Sequence, residues 1–290
     1  MKNTLRDYSR LVKFEHTLFA LPFALIGFFL AVGHGSHEFT ILLLIKVIGC
    51  MVFARNAAMG FNRYLDRSFD MANPRTAMRE IPAGVVSPRK ALIFVILNSF
   101  LFVLTSWLIN PLCFYLSPVA LFVILGYSYT KRITPLCHFI LSAGLALAPI
   151  GAYLAVCGQF AILPLLFSSV VFFWVSGFDI IYACQDIDFD RAWKLNSIPA
   201  MTGIKRALQL SVLVHFIAAT FVVLAGIALN SGLIYWIGAA FFMGLLVYQH
   251  LIINSKDLSR VNLAFGTTNG IASVIFAILV IASIYFPLQF

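Results

Sequence analysis

ILPLLFSSVVFFWVSGFDIIYACQDIDFDRAWK, residues 162–194, changes character part-way along. From Ile162 to Ala183 only Asp179 carries a charge. As a helix those residues reach about 33 Å, enough to cross a hydrocarbon core of roughly 30 Å. Immediately afterwards come Asp186, Asp188, Asp190, Arg191 and Lys194. The stretch therefore reads as a membrane-spanning helix that surfaces into a charged interface.

Working outward, eight further stretches share that length and polarity: about 15–33, 41–61, 91–109, 112–129, 137–157, 207–229, 233–253 and 265–286. Pro118 falls within the shortest, 112–129. Of the 290 residues, 61% are hydrophobic and 11% charged. Soluble chains carry roughly 45–50% and about 25%, so too few polar residues exist to cover a soluble surface. Disordered, collagen-like, coiled-coil and soluble two-domain classes are excluded on the same ground. The first stretch follows a charged arm and precedes another span, which predicts a retained helix and not a cleaved signal. Cys50, Cys113, Cys137, Cys157 and Cys184 lie singly in apolar segments, which excludes a disulfide framework or a zinc site. The expected fold is all-α: one domain over 1–290, with nine transmembrane helices around an intramembrane cavity that opens at the cytoplasmic side.

The net charge of +9 is distributed by loop. Lys2, Arg6, Arg10 and Lys13 precede the first span, and Arg63, Arg67, Arg75, Arg79, Arg89 and Lys90 follow the second. Lys131 and Arg132 follow the fourth span, Arg191, Lys194, Lys205 and Arg206 the sixth, and Lys256 and Arg260 the eighth. Every intervening loop has none, so 18 of the 20 cations fall on alternate loops. The positive-inside rule then predicts a multi-pass protein of a bacterial inner membrane, with a cytoplasmic N-terminus and an external C-terminus. Basic charge in this pattern serves topology and anionic lipid headgroups, and no nucleic acid or obligate protein partner is expected. Lys46 and Arg55 lie inside the second span, where Lys46 can snorkel outward and Arg55 invites a cavity role.

Six of the eleven acids cluster at two cytoplasmic span ends. One cluster is NRYLDRSFD (62–70) and the other is DIIYACQDIDFD (179–190). Spacings of four place Asn62, Asp66 and Asp70 on one helical stripe, and Asp186 and Asp190 on another, with Asp179 seven residues before Asp186. Like charges at that spacing weaken a helix, so the stripes point to a hard divalent cation. Mg²⁺ takes oxygens from one or two carboxylates and completes its shell with water and phosphate. Arg75, Arg79, Lys131, Arg132 and Lys194 lie nearby and suit a diphosphate. Both loops run acids, cations, then Pro82 or Pro199, which hints at an internal repeat.

These residues resemble the UbiA superfamily of intramembrane prenyltransferases, whose aspartate-rich motifs have the forms NxxxDxxxD and YxxxDxxxD. Asn62, Asp66 and Asp70 fit the first form, and Tyr182, Asp186 and Asp190 the second. RTAMREIPAG (75–84) and YSYTKR (127–132) are similar to that family's flanking segments. The chain is most similar to the bacterial 4-hydroxybenzoate polyprenyltransferase branch. Arg63 departs from the pattern, since many members carry Asp after the motif Asn.

The resemblance implies transfer of a polyprenyl group from its diphosphate to an aromatic acid in respiratory quinone synthesis, with Mg²⁺ assisting diphosphate departure. Asp66, Asp70, Asp186 and Asp190, with Asn62, are the implied metal ligands. Arg75, Arg79, Lys131, Arg132 and Lys194 are the diphosphate candidates, and Arg55 or Arg132 could hold the acceptor's carboxylate. Tyr127 and Tyr182 are candidates to face an allylic cation, and Asp179 and Asp188 to support the ligands. His16, His138, His215 and His250, isolated on apolar spans, read as packing or polar-network residues, with His34 and His37 on an outer loop. A naphthoate-type acceptor for menaquinone is the nearest alternative. A secondary transporter is the more distant one, and its acids should lie at mid-membrane.

Overall fold

The computed structural model describes residues 4–12, 19–34 and 38–288. His16, His37 and the start of the first expected span lie outside the described residues. Helices follow one another as α1 (Thr4–Leu11), α2 (Leu21–His34), α3 (Ile41–Leu65), α4 (Arg67–Ala72), α5 (Pro88–Trp107), α6 (Pro111–Thr130) and α7 (Cys137–Cys157). Then come α8 (Ile162–Ala183), α9 (Ile187–Ala192), α10 (Ile198–Thr202), α11 (Ile204–Ala228), α12 (Leu233–Ile252) and α13 (Asn269–Tyr285). Among the described residues, eight helical segments are long and apolar enough to cross a membrane. They are α3, α5, α6, α7, α8 with its extension to Ala192, α11, α12, and the segment Leu263–Tyr285 that ends in α13. The 14-residue α2 is apolar but reaches only about 21 Å at 1.5 Å per residue.

Local chemistry places the helix starts. Pro88 and Pro111 occupy first-turn positions, where the missing N–H costs nothing. Ser87 Oγ accepts from the Lys90 N–H, and Asn110 Oδ1 from the Cys113 N–H at 2.8 Å. Asn110 Nδ2 also donates to Leu154 O at 2.9 Å, which ties the start of α6 to the end of α7. Gly158, at φ 64°, takes the left-handed conformation that terminates α7. Lys46 Nζ reaches the Leu108 carbonyl at 2.7 Å, so this intramembrane lysine does snorkel, to the end of α5.

Lipid tails are as apolar as these side chains, so the helices associate by close packing. Trp174, Phe23, Phe167, Tyr235, Phe242 and Phe276 interlock in a buried aromatic core between α2, α8, α11, α12 and α13. Small residues permit the tightest crossings. A Cβ on Gly27 would stand 2.0 Å from Pro149 O on α7, and one on Gly177 would stand 2.2 Å from the His215 ring on α11. The other half of the molecule encloses a cavity of about 690 Å³, walled by α3, α6, α7 and α8.

The two acidic stripes are not continuous helix. α3 stops at Leu65, Asp66 sits in a turn at φ −86°, ψ 6°, and α4 restarts at Arg67. α8 stops at Ala183, tightens to a 3-10 turn over Cys184–Asp186, and continues as α9. Both motifs thus have the same form, a long helix, a break and a six-residue helix.

Candidate active site

At one end of the cavity the two motifs face each other. Asp66, Asp70, Asp186 and Asp190 all line it, and so do Asn62, Arg75, Arg79, Lys131 and Arg132. Each carboxylate is tied to a cation from elsewhere in the chain. Arg132 Nη2 holds Asp66 Oδ1 at 2.8 Å, and Arg79 Nη1 holds Asp70 Oδ1 at 2.6 Å. Arg75 grips Asp186 through two parallel bonds, Nε to Oδ1 at 2.9 Å and Nη2 to Oδ2. Lys131 Nζ lies 2.7 Å from Asp190 Oδ1. Cations placed by sequence on a diphosphate are thereby also the groups that hold the acids.

Further polar contacts set orientation. Asn62 Nδ2 donates to Asp66 Oδ2 at 2.8 Å. Ser197 Oγ donates to the fully buried Asp190 at Oδ2, 2.7 Å away. Burial raises the Asp66 carboxyl above the usual carboxylate range, against the pull of Arg132. Arg132 also donates to Ser128 O and Leu65 O, and its guanidinium lies over the Phe69 ring, so its bonds go to protein groups.

Some expectations are redirected. Lys194 stands exposed, at φ 53°, away from the cavity lining. Asp188 is exposed as well. Asp179 leaves the stripe to meet His138, with Oδ2 2.7 Å from Nδ1, and both line the cavity. The Ile198 N–H donates to His138 Nε2 at 3.3 Å, so the ring proton belongs on Nδ1, toward Asp179. His215 and His250 pair with each other at 2.9 Å, between α11 and α12.

Three contributors were not legible as such. Asn73 Nδ2 donates to Asp186 Oδ1 at 3.1 Å and, with Arg75, docks the first motif's loop on the second. An NP step such as 73–74 is a turn signal, but nothing in it names the partner. Arg63, the residue that breaks the family pattern, is buried with Nη1 4.0 Å from Asp70 Oδ2. It read as one more topological charge. Phe265 packs against Tyr182 with centroids 4.2 Å apart and the rings tilted by 33°, and it lines the cavity; twenty-nine Phe in the chain hid it.

Among the described residues no three His, Cys, Asp or Glu side chains converge into a ready-made metal cage. The donor set still suits Mg²⁺, which needs only one or two carboxylates beside water and phosphate. Asp70 Oδ2 is a buried carboxylate oxygen with no hydrogen-bond partner, the kind of atom a hard cation satisfies.

Residues 20–285 match the UbiA prenyltransferase family. The chain belongs to that family. It is 29% identical over 285 residues to the 4-hydroxybenzoate octaprenyltransferase of Shewanella frigidimarina, covering 95% of this chain and 96% of that one. A UbiA homologue from Aeropyrum pernix K1 superposes with a TM-score of 0.83 at 33% identity, over 92% of this chain and 98% of that one. A UbiA homologue from Archaeoglobus fulgidus, solved bound to DMAPP and Mg²⁺, shares the fold with a TM-score of 0.74 at 23% identity, over 97% and 99%. This member of the family is accordingly a multi-pass membrane prenyltransferase.

Proposed function

We propose that the protein transfers a polyprenyl group from its diphosphate to a ring carbon of an aromatic acid of the 4-hydroxybenzoate type, in ubiquinone synthesis. The observation that carries this reading is four carboxylates and four cations at the mouth of one largely apolar cavity. The relatives' name supplies the acceptor class.

Arg75, Arg79 and Lys131 bind the diphosphate, exchanging part of their hold on the acids for phosphate oxygens. Asp66, Asp70, Asp186 and Asp190, with Asn62, would hold Mg²⁺, which when bound neutralises charge on the departing diphosphate. The allylic C–O bond breaks with its electron pair on the diphosphate, and the acceptor ring carbon bonds to the allylic carbon. The departed diphosphate then takes the ring proton, which restores aromaticity. Cavity walls keep water from the allylic cation, and Tyr182 and Tyr127 line that space. Arg55 lines the same cavity seven residues before Asn62, about 10 Å deeper along α3, and takes the acceptor's carboxylate. Arg132 is the weaker choice, because it stands among the acids at the cavity mouth, bonded to Asp66 and two carbonyls.

The whole chain acts as one domain with nine spans in a bacterial inner membrane, α2 serving as the shortest. Alternation of Lys and Arg supports a cytoplasmic cavity mouth and an external C-terminus. The prenyl tail runs among the helices or into lipid.

The deciding experiment incubates membranes holding the protein with labelled polyprenyl diphosphate, Mg²⁺ and a panel of aromatic acids. Label should pass to a 4-hydroxybenzoate-type acid. Transfer only to naphthoates would replace the acceptor, and no diphosphate release with any acid would end the enzyme reading for this substrate class.

A further inference from the structure

α13 is preceded by a π-turn, Leu263–Thr268, of the kind that recurs at functional sites. Its centre presents Phe265 to the cavity. Phe265 contacts three other cavity-lining rings: Tyr182 at 4.2 Å, Phe178 at 5.3 Å and Phe19 at 5.4 Å between centroids. Tyr182 and Phe178 lie four and eight residues before Asp186, about 6 and 12 Å below it along the helix. Tyr182 Oη accepts from Arg75 Nη1 at 2.9 Å, so this aromatic wall begins at the diphosphate site itself.

The π-turn is held by a buried polar cluster that the chemistry above leaves unused. The Asn269 N–H bonds Gly266 O, which releases Phe265 O from the usual helical pattern. Asn269 Nδ2 donates to Phe265 O at 3.1 Å in its place. Asn269 Oδ1 accepts from Trp174 Nε1 at 3.0 Å and Gln249 Nε2 at 2.7 Å. Asn269, Gln249 and Trp174 are all fully buried. With Nδ2 on Phe265 O and Oδ1 on Trp174 and Gln249, the Asn269 amide has one orientation, which fixes the π-turn backbone that carries Phe265.

We infer that Phe265 presents its π-face to the positive charge that develops on the allylic carbon, and that Asn269 is the positioning residue that aims it. The inference rests on the proposed prenyl transfer and names a group that stabilises its cation. An allylic carbon leaves from a phosphate oxygen, so its charge forms beside the cations that bind the diphosphate, and the Arg75–Tyr182 corner is one wall of that space. An aromatic face there attracts a cation at no cost in reorganisation.

The test needs no turnover. Purified full-length protein with inorganic diphosphate and Mg²⁺ is titrated with a prenyl ammonium analogue, carrying a protonated nitrogen at the allylic position, and with its neutral carbon isostere. Wild type should prefer the ammonium form. Phe265→Leu should cut that preference about tenfold and leave the neutral probe's affinity unchanged within twofold. Phe265→Tyr should restore the preference, and Asn269→Ala should reduce it in the same probe-selective way. Should Phe265→Leu not fold, Phe265→Met carries the same comparison. Equal loss of both probes, or an undiminished preference, would overturn the inference. Absence of prenyl transfer by wild type beside an intact ammonium preference would instead fault the proposed function.

Discussion

The Arg75–Asp186 contact joins a cation of the first motif's loop to an acid of the second, 111 residues away. If both act on one diphosphate, removing either should disable the same unit. Arg75→Ala deletes two bonds to Asp186 and one to Tyr182, while Asp186→Asn keeps shape and removes charge. Losing one pre-organised charged group from a transition state lowers turnover by roughly 10²–10³. Two independent losses would multiply to roughly 10⁴–10⁶. Members of one unit do not multiply, so the double variant should fall less than about tenfold below the worse single. Stability cannot supply the effect: Arg75 is 32% and Asp186 12% exposed, and a solvent-screened pair contributes about 1 kcal/mol. The assay is single-turnover conversion of labelled polyprenyl diphosphate, normalised to folded protein, for wild type, both single variants and the double. Asp257→Asn, on a loop outside both motifs, is the control at wild-type rate. Multiplicative losses would show that the motifs work separately and would refute the shared site.

Three further outcomes follow from the same geometry. Lys131→Met should destabilise the protein by about 3 kcal/mol in chemical denaturation, because it strands the fully buried Asp190 carboxylate, whereas the exposed Lys194→Met should change stability and turnover little. Gly27→Leu should prevent α2 from seating on α7, since even a Cβ would overlap Pro149 O, and the loss of a monodisperse detergent peak reports it. In a cysteine-replaced background, an impermeant thiol reagent should reach a cysteine at Asn230 from outside intact cells and one at Arg89 only after permeabilisation; the reverse pattern would move the cavity mouth to the outer face.

Membership of a fold class was legible from the chain because its evidence is one-dimensional. Segment length and apolarity decide whether a helix can cross lipid, and loop-by-loop Lys and Arg counts bias its direction. The spacings in Asn62–Asp70 and Tyr182–Asp190 named the acids for a chemical reason equally local, since repelling carboxylates are retained where something positive must be held. Both helices nevertheless break, at Asp66 and at Cys184–Asp186, where sequence periodicity alone predicted unbroken stripes. Pairing was a different matter. Which cation meets which acid depends on contacts such as Arg132 with Asp66 or Lys131 with Asp190, set by how α3, α6 and α8 pack across the cavity. Spacing along the chain carries no record of that distance. Lys194 and Lys131 looked alike as lysines near an acidic motif, yet a left-handed turn after α9 leaves one in solvent while α6 delivers the other to Asp190. Arg63 and Phe265 show the same limit from the other side: a charge among many and a ring among many acquire roles only when the fold turns them into the cavity. Sequence thus determined that the chain crosses a membrane and where its acids and cations lie along it; tertiary structure alone decided which side chains share a site, because electrostatic and π contacts act over a few ångströms of space.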